Sequence, residues 1–234
     1  MKKYFLLVGL FMASIAAKAQ DGNLPDKFTA GIDVGLALPS SDFASASSAI
    51  ENGQNTINGS ANTGFYYDAY CGYKVIKFLG IMAQYGRNSN SYNTSNLTSG
   101  SSASGGYTSA EYLIGPFISF KIAKIKIEAK LLGGMLTSNY PTLTIQNYGY
   151  STIDAFENGK GFGYCAGAKV KYMLFDGLLG VGIGFNYVSS DITYSNWTQT
   201  YSGTYPLGFQ PTLNGSTKMS LGLVQLTAGL SLDI

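Results

Sequence analysis

The residue types that usually carry enzymatic chemistry are scarce in this chain of 234 residues. The sequence contains no histidine and two cysteines, Cys71 and Cys165. Without histidine there is no Ser-His-acid triad, no histidine general base and no His- or Cys-rich zinc site. Serines and acids are present, but none has an evident activating partner. We therefore expect a protein that is not an enzyme and that needs no cofactor.

Acids in the polar segments between the predicted strands give no sign of a metal site. A dedicated calcium loop places its acids at alternating positions, as in Asp-x-Asp. These segments lack that spacing, so we expect solvated charges rather than metal ligands. The acids concerned are Asp42, Glu51, Asp154, Glu157 and Asp191.

A second group of charges lies inside segments in which apolar and polar residues alternate. Five bases and five acids share the less apolar face, and we expect the opposite face to carry no charge. Because charges in a narrow interior are costly unless they pair, we predict a salt-bridged network that fills a lumen. Its members are Asp33, Asp68, Lys74, Glu111, Lys126, Glu128, Lys130, Lys169, Lys171 and Asp233.

Eight such segments position these residues, and the two-residue period of each is typical of a β-strand. In the first, Ile32, Val34 and Leu36 share one face while Asp33 lies on the other. Pro116 lacks an amide hydrogen, which makes the fourth segment the least regular. The predicted strands cover 28–38, 65–75, 79–87, 107–120, 125–135, 162–172, 179–187 and 224–234.

The connections alternate in length. Short turns lie at 76–78, 121–124 and 174–177, and long polar segments lie at 39–61, 88–106, 139–161 and 189–217. Long unstructured connections are uncommon in compact domains. Short periplasmic turns alternating with long external loops are typical of outer-membrane barrels. The sequence therefore predicts an all-β fold, an eight-stranded antiparallel up-and-down transmembrane β-barrel.

The N-terminus indicates export to the cell envelope. Lys2 and Lys3 precede an apolar run of about 14 residues, and Ala17 and Ala19 form a small-x-small cleavage site. We predict a signal peptide at 1–19 and a barrel domain at 20–234, in the outer membrane of a Gram-negative bacterium. Without the three lysines of the leader, 12 bases and 13 acids remain. Nucleic acid is therefore not an expected partner, because its binding requires a basic surface.

Aromatic residues near the strand ends form two predicted girdles on the apolar face. Amphipathic rings favour the level of the lipid headgroups, where one end of the ring is apolar and the other is hydrated. The predicted interface aromatics are Phe65, Tyr67, Tyr85, Phe162, Tyr164, Phe185 and Tyr187 at the outer rim, and Phe28, Tyr73, Phe120 and Tyr172 at the inner rim.

The last long segment, 189–217, carries aromatic residues in a polar background. Rigid aromatics among small polar residues form recognition surfaces, but they also pack on one another to order a loop. The sequence leaves both interpretations open. The residues are Tyr194, Trp197, Tyr201, Tyr205 and Phe209.

The pattern as a whole resembles the small outer-membrane barrels of the OmpA and OmpX type, including the porin-like outer membrane β-barrel domain. The resemblance covers nearly all of the chain after the leader. Its sharpest element is 227–234, which is similar to the C-terminal β-signal polar-x-Gly-x-x-apolar-x-apolar, with Ile234 where the family usually has an aromatic residue. The resemblance implies recognition by the barrel assembly machinery through Thr227, Gly229, Leu232 and Ile234.

Three functions are compatible with these features. The first is a structural and surface-interaction protein, embedded in outer-membrane lipid, whose loops offer a surface to an extracellular ligand for adhesion or envelope stability. The second is a narrow porin-like channel for ions or small solutes. The third is a secreted soluble β-barrel carrier.

Overall fold

A computed structural model describes residues 27–45, 58–97, 100–147, 150–196, 198–203 and 216–234. The predicted signal peptide with Ala17 and Ala19, the acid Glu51, and the aromatics Trp197, Tyr205 and Phe209 lie outside these ranges. The strands are β1 (Phe28–Ser40), β2 (Gly64–Lys74), β3 (Leu79–Ser91), β4 (Ser102–Ser104), β5 (Gly106–Ile122), β6 (Ile125–Asn139), β7 (Thr142–Asn147), β8 (Tyr150–Ala155), β9 (Gly159–Leu174), β10 (Leu179–Tyr194), β11 (Thr198–Gly203) and β12 (Thr217–Asp233).

Helical structure in the described residues is limited to short pieces. A four-residue helix, α1 (Ser41–Ala44), follows β1, and single 3₁₀ turns occupy Thr94–Asn96 and Phe175–Gly177. Within the described ranges, no helix has the length and apolar character needed to cross a membrane.

Eight of the strands form a closed antiparallel barrel in the order β1-β12-β10-β9-β6-β5-β3-β2. The first and last strands complete the ring: the Phe28 amide donates to the Ile234 carbonyl at 2.6 Å, and the Ile234 amide donates to the Phe28 carbonyl at 2.8 Å. Apart from this closing pair, neighbouring strands of the ring are consecutive barrel strands along the chain. The predicted eight-stranded up-and-down barrel is therefore confirmed.

The register of the strands fixes how far they tilt. A row of directly paired residues leaves β12 at Ala228, circles the barrel and returns to β12 at Lys218, ten residues away (228 − 218). A barrel with such a stagger has strands inclined to its axis by roughly 35–45°. The row consists of Ala228, Val34, Tyr67, Arg87, Ala110, Thr137, Lys160, Thr193 and Lys218.

Alternation along each barrel strand separates an apolar outer wall from a polar interior. On β1, Ile32, Val34 and Leu36 are 50–60% exposed, whereas Asp33 between them is 3% exposed. This is the reverse of a soluble protein, in which large aliphatic side chains are inside and charges outside. The two-residue period places every second side chain on the same wall.

Pro116 does not end the fourth barrel strand. β5 runs through it from Gly106 to Ile122, and its pairing with β6 is interrupted at Gly115 and Pro116 and resumes in the same register. The interruption falls where proline cannot donate a backbone hydrogen bond. The regular alternation on both sides carries the strand across this gap.

The long connections contain more strand than the sequence predicts. The barrel strands extend into them, so that β3 reaches Ser91, β10 reaches Tyr194 and β12 begins at Thr217. Four further strands form a second sheet, in the order β11-β8-β7-β4. The prediction of unstructured loops is wrong for these parts, because strands such as β8 and β11 find their partner in a distant part of the chain.

The barrel interior near these long connections is filled by aromatic rings. Phe43 of α1 is fully buried and contacts Tyr107, with ring centroids 4.9 Å apart. Tyr107 in turn contacts Tyr140 at 5.4 Å, and Tyr140 contacts Tyr194 at 5.7 Å. The buried Tyr107 hydroxyl donates a hydrogen bond to the Gly59 carbonyl. The aromatic layer therefore anchors α1 and Gly59 at this end of the barrel.

Truncating Phe43 should destabilise the barrel. Phe43→Ala removes a fully buried ring from the aromatic layer and should lower the free energy of unfolding by about 3–5 kcal/mol. Phe43→Leu retains most of the apolar volume and should cost less than half as much. Urea titration in detergent micelles, followed by circular dichroism, measures both. Equal stability of wild type and Phe43→Ala would show that α1 is not part of the core.

Candidate functional site

The end of the interior nearest the short turns holds a compact ion-pair cluster. Lys171 Nζ lies 2.8 Å from Glu128 Oε2 and 3.9 Å from Asp233 Oδ2. Lys126 bonds to Asp233 and lies 3.4 Å from Glu128 Oε1. All four residues are at most 4% exposed. Two positive and two negative charges thus neutralise one another in a space closed to solvent.

A second ion pair lies above this cluster and is organised by a tyrosine. Lys169 bonds to Asp33 and also to the Tyr70 hydroxyl at 2.9 Å. The amines of Lys169 and Lys171 lie 4.7 Å and 5.3 Å from the centroid of the Tyr70 ring. A ring face attracts cations at such distances. Tyr70 therefore contacts both lysines and offsets part of their mutual repulsion.

In the middle of the barrel, neutral groups relay between charges. Lys130 donates to Gln84 Oε1 at 2.6 Å, Gln84 Nε2 donates to the Tyr66 hydroxyl at 2.9 Å, and Tyr66 donates to Asp68 Oδ2 at 2.7 Å. The chain of bonds crosses β6, β3 and β2. Lys130 and Asp68 are thus linked through two neutral side chains.

Glu111 lies further from the short turns than this relay, with amide groups around it. Its Oε1 accepts from Asn88 Nδ2 at 2.6 Å and from Gln225 Nε2 at 2.7 Å, and it is fully buried. Asn186 Nδ2 donates to Gln225 Oε1 at 3.2 Å and extends the network to β10. Hydrogen bonds from neutral donors lower the cost of burying a carboxylate.

The structure therefore places the ten predicted lumen charges in different arrangements. Six belong to ion pairs. Asp68, Glu111 and Lys130 use tyrosine and amide partners, so the expected one-to-one charge pairing is not the arrangement at these three. Lys74 is half-buried at the short-turn end of β2. The partners that the prediction missed are neutral side chains on the inward face of the strands, where the two-residue alternation also places them. They are Tyr66, Tyr70, Gln84, Asn88, Asn186 and Gln225.

Little space remains among these side chains. A cavity of about 20 Å³ lies among Asp33, Tyr70, Glu128, Lys130 and Lys169. A water molecule needs roughly 10–15 Å³ by this measure, so the cavity holds about one. Above the polar network large apolar side chains fill the interior together with small polar ones such as Ser109, and Val188, Ile192 and Leu223 are fully buried. The predicted lumen charges lie on the short-turn side of these apolar side chains.

The outer wall carries all eleven predicted interface aromatics. Nine are exposed, and Phe28 and Tyr187 are partly covered. Tyr112, which is 55% exposed and lies 5.2 Å from the Tyr85 ring, belongs to the same wall although it was not among them.

The expectation that the outer face carries no charge is wrong near its upper end. Arg87, Lys160, Asp191 and Lys218 are exposed on the outward face of β3, β9, β10 and β12. These strands extend beyond the apolar band, where their outward side chains meet water while the inward ones, such as Ile192 and Tyr194, stay buried. The sequence pattern did not reveal how far they extend.

Residues predicted in the long loops have different outcomes. Asp42, Glu157 and Asp191 are exposed, whereas Asp154 is fully buried in β8, so it is not a solvated loop charge. Tyr194 lies inside the aromatic layer, which favours packing over recognition for this residue. Tyr201 is in β11.

The C-terminal residues have a clear place in barrel closure. Gly229 on β12 faces Asp33 on β1, and a Cβ at this position would lie 1.9 Å from Asp33 Oδ1 and 2.2 Å from the Ile32 carbonyl oxygen. A larger residue would separate the two strands that close the ring. Thr227 is buried, and Leu232 and Ile234 are partly buried beside β1.

Comparisons with known proteins reach only the level of fold. No protein-family model matches the chain, and no curated protein matches it significantly in sequence. Neisserial surface protein A is 16% identical over 88% of this chain and 97% of its own, with a TM-score of 0.45. OprG from Pseudomonas aeruginosa is 12% identical over 89% and 97%, with a TM-score of 0.47. The outer membrane protease OmpT from Escherichia coli is 12% identical over 91% and 99%, with a TM-score of 0.48.

Breaking the buried ion-pair cluster should destabilise the barrel strongly. Lys171→Met or Glu128→Gln alone leaves a buried charge with an incomplete set of partners and should cost about 3–5 kcal/mol of unfolding free energy. The double variant should cost less than the sum, with a coupling of about 0.5–3 kcal/mol. Folded and unfolded barrels migrate differently on gels when the sample is not boiled. The fraction of protein in the folded band, measured across a urea series, gives the unfolding free energy of each variant.

The control for this cycle is Lys124→Met, which removes an exposed lysine from the β5–β6 turn. It should change the unfolding free energy by no more than about 0.5 kcal/mol. Strict additivity of the Lys171 and Glu128 variants would contradict the ion-pair cluster.

Proposed function

We propose that this chain is an integral outer-membrane β-barrel with a filled, non-conducting interior, and that it acts as a structural and surface-interaction protein. The observation that carries the membrane location is the outer wall. A closed ring of strands exposes large apolar side chains all round, among them Ile183 at 70% and Ile114 at 61%. Soluble monomers rarely expose a contiguous apolar surface of this extent.

The closed ring itself supports the same location. In hydrocarbon, backbone amides and carbonyls must be paired within the protein, and a closed barrel meets this requirement because it has no edge. Aromatic rings at both ends of the apolar band fit the headgroup regions of a bilayer. The secreted soluble carrier is disfavoured, because its apolar face would line the interior.

The interior favours a structural role over a channel. Buried ion pairs, a polar network and an apolar layer occupy successive levels, and the cavity found among the charges holds about one water. Conduction needs a continuous polar path. The aromatic layer around Phe43 and Tyr107 stands across that path.

The extension beyond the apolar band supports a role at the cell surface. Long barrel strands rise out of the band and a four-stranded sheet is added to them, which presents a folded surface to the exterior. Without histidine in the sequence, catalysis is not part of the proposal. Outer-membrane lipid is the proposed environment, the barrel assembly machinery the proposed partner during insertion, and an extracellular ligand the proposed partner of the extension.

The membrane location predicts a specific response to charge on the outer wall. Ile183→Arg places an arginine near the middle of the apolar band and should lower the unfolding free energy in vesicles by about 2–4 kcal/mol. Ile183→Leu should cost less than about 1.5 kcal/mol. Urea titration of vesicle-inserted protein measures both. Equal stability of the two variants would contradict lipid contact at this face.

The filled interior predicts an absence of conductance. The purified barrel, inserted into a planar bilayer, should produce no discrete current steps, because its ion pairs and aromatic layer leave no continuous water path. An established porin in the same bilayer provides the positive control. Reproducible steps of uniform size from the wild-type chain would establish the channel alternative instead.

A further inference from the structure

We infer that a groove on the outer wall binds the phosphorylated sugar headgroup of an anionic glycolipid. The inference rests on the proposed outer-membrane location. It starts from Arg87, whose guanidinium group is on the outward face of β3, on the same face as the exposed apolar residues below it. An arginine in this position is costly in hydrocarbon and favourable beside a phosphate.

The groove that contains Arg87 is polar and is large enough for a sugar. Its volume is about 380 Å³, and it crosses the outward face of β3, β5 and β6. Tyr85 and Tyr112 of the outer aromatic girdle form its membrane-side edge. Ala110 and polar residues form the rest of its lining, and Arg87 supplies the charge. The polar residues are Thr108, Thr137, Asn139 and Asn158, together with Ser138, which is almost fully buried.

A second base lies at the far side of the groove. Lys160 on β9 is paired with Thr137, in the same cross-strand row as Arg87. Three strand spacings of about 4.8 Å separate the two bases, which places their backbones about 14 Å apart along the wall. With strands tilted by about 40°, Lys160 stands about 9 Å further from the membrane than Arg87.

The separation of Arg87 and Lys160 favours one class of anionic lipid over another. A phospholipid phosphate at the level of Arg87 lies about 9 Å nearer the membrane than the Lys160 backbone. A phosphorylated oligosaccharide headgroup spans both bases and offers hydroxyls to the threonine and asparagine side chains between them. Guanidinium binds phosphate with two parallel hydrogen bonds, and tyrosine rings accept the apolar face of a sugar.

The nearest acids are consistent with this assignment. Asp191, exposed on the neighbouring strand β10, lies beyond Lys160 and accepts a hydrogen bond from Ser220 Oγ at 2.7 Å. Glu157 precedes Asn158 but does not line the groove. The charge inside the groove therefore comes from Arg87, and its outer end is marked by Lys160.

Native mass spectrometry of the full barrel, released from neutral phosphatidylcholine vesicles that contain a bisphosphorylated diglucosamine lipid, tests the inference. Arg87→Gln should weaken retention of this glycolipid about tenfold or more, because a charged hydrogen-bonding partner of the phosphate is lost. Lys160→Gln should weaken it by a smaller factor. Lys218→Gln, in the same row but outside the groove, is the matched control and should leave retention unchanged.

The lipid is varied in the second arm. Removing the phosphates from the glycolipid should weaken its binding to wild type but not further weaken its binding to Arg87→Gln. Retention of phosphatidylglycerol with the same dependence on Arg87, or displacement of the glycolipid by inorganic phosphate, would overturn the assignment to a glycolipid. So would equal retention by wild type and Arg87→Gln. Failure of the wild-type barrel to insert into any vesicle would refute the proposed membrane location instead.

Discussion

The pairing of β1 with β12 is the constraint on which the rest of the molecule depends. Backbone hydrogen bonds between Phe28 and Ile234 complete a ring of eight strands and leave no open edge. The ring and its ten-residue stagger set the width of the interior, which is only wide enough for side chains to fill. Gly229 permits the closure, because a side chain there would strike Asp33 and the backbone of β1.

Because the width of the interior is fixed, the inward side chains must fill it and satisfy one another's charges. Lysines and carboxylates that enter so narrow a space must neutralise one another or find neutral donors, and the interior contains both solutions. Lys126, Lys171, Glu128 and Asp233 form a compact charge cluster, whereas Glu111 depends on asparagine and glutamine amides. Towards the long connections, apolar and aromatic side chains replace the charges. The barrel is therefore held together from within as well as by its strand pairing.

The barrel strands, their number and the wall that each of their residues faces could be predicted from the sequence, whereas the four strands of the second sheet could not. A period of two is a local property, and Ile32, Asp33 and Val34 reveal it without any knowledge of their neighbours. The fourth barrel strand, β5, continues through Pro116 because regular alternation on both sides outweighs one missing hydrogen bond. The upper ends of the strands could not be predicted in the same way, because polar residues such as Arg87 and Lys160 face outward there and the period no longer coincides with hydrophobicity.

The sequence by itself determined an all-β chain with one apolar and one polar face per strand, and it excluded histidine chemistry. The tertiary structure alone decided which charges meet: Lys130 reaches Gln84 rather than a carboxylate, and Asp154 is buried rather than solvated. It also decided that Arg87 and Lys160 share one row on the outer wall. The physical reason is that alternation depends on neighbours along the chain, whereas these contacts depend on the stagger between strands, which is set only when the ring closes.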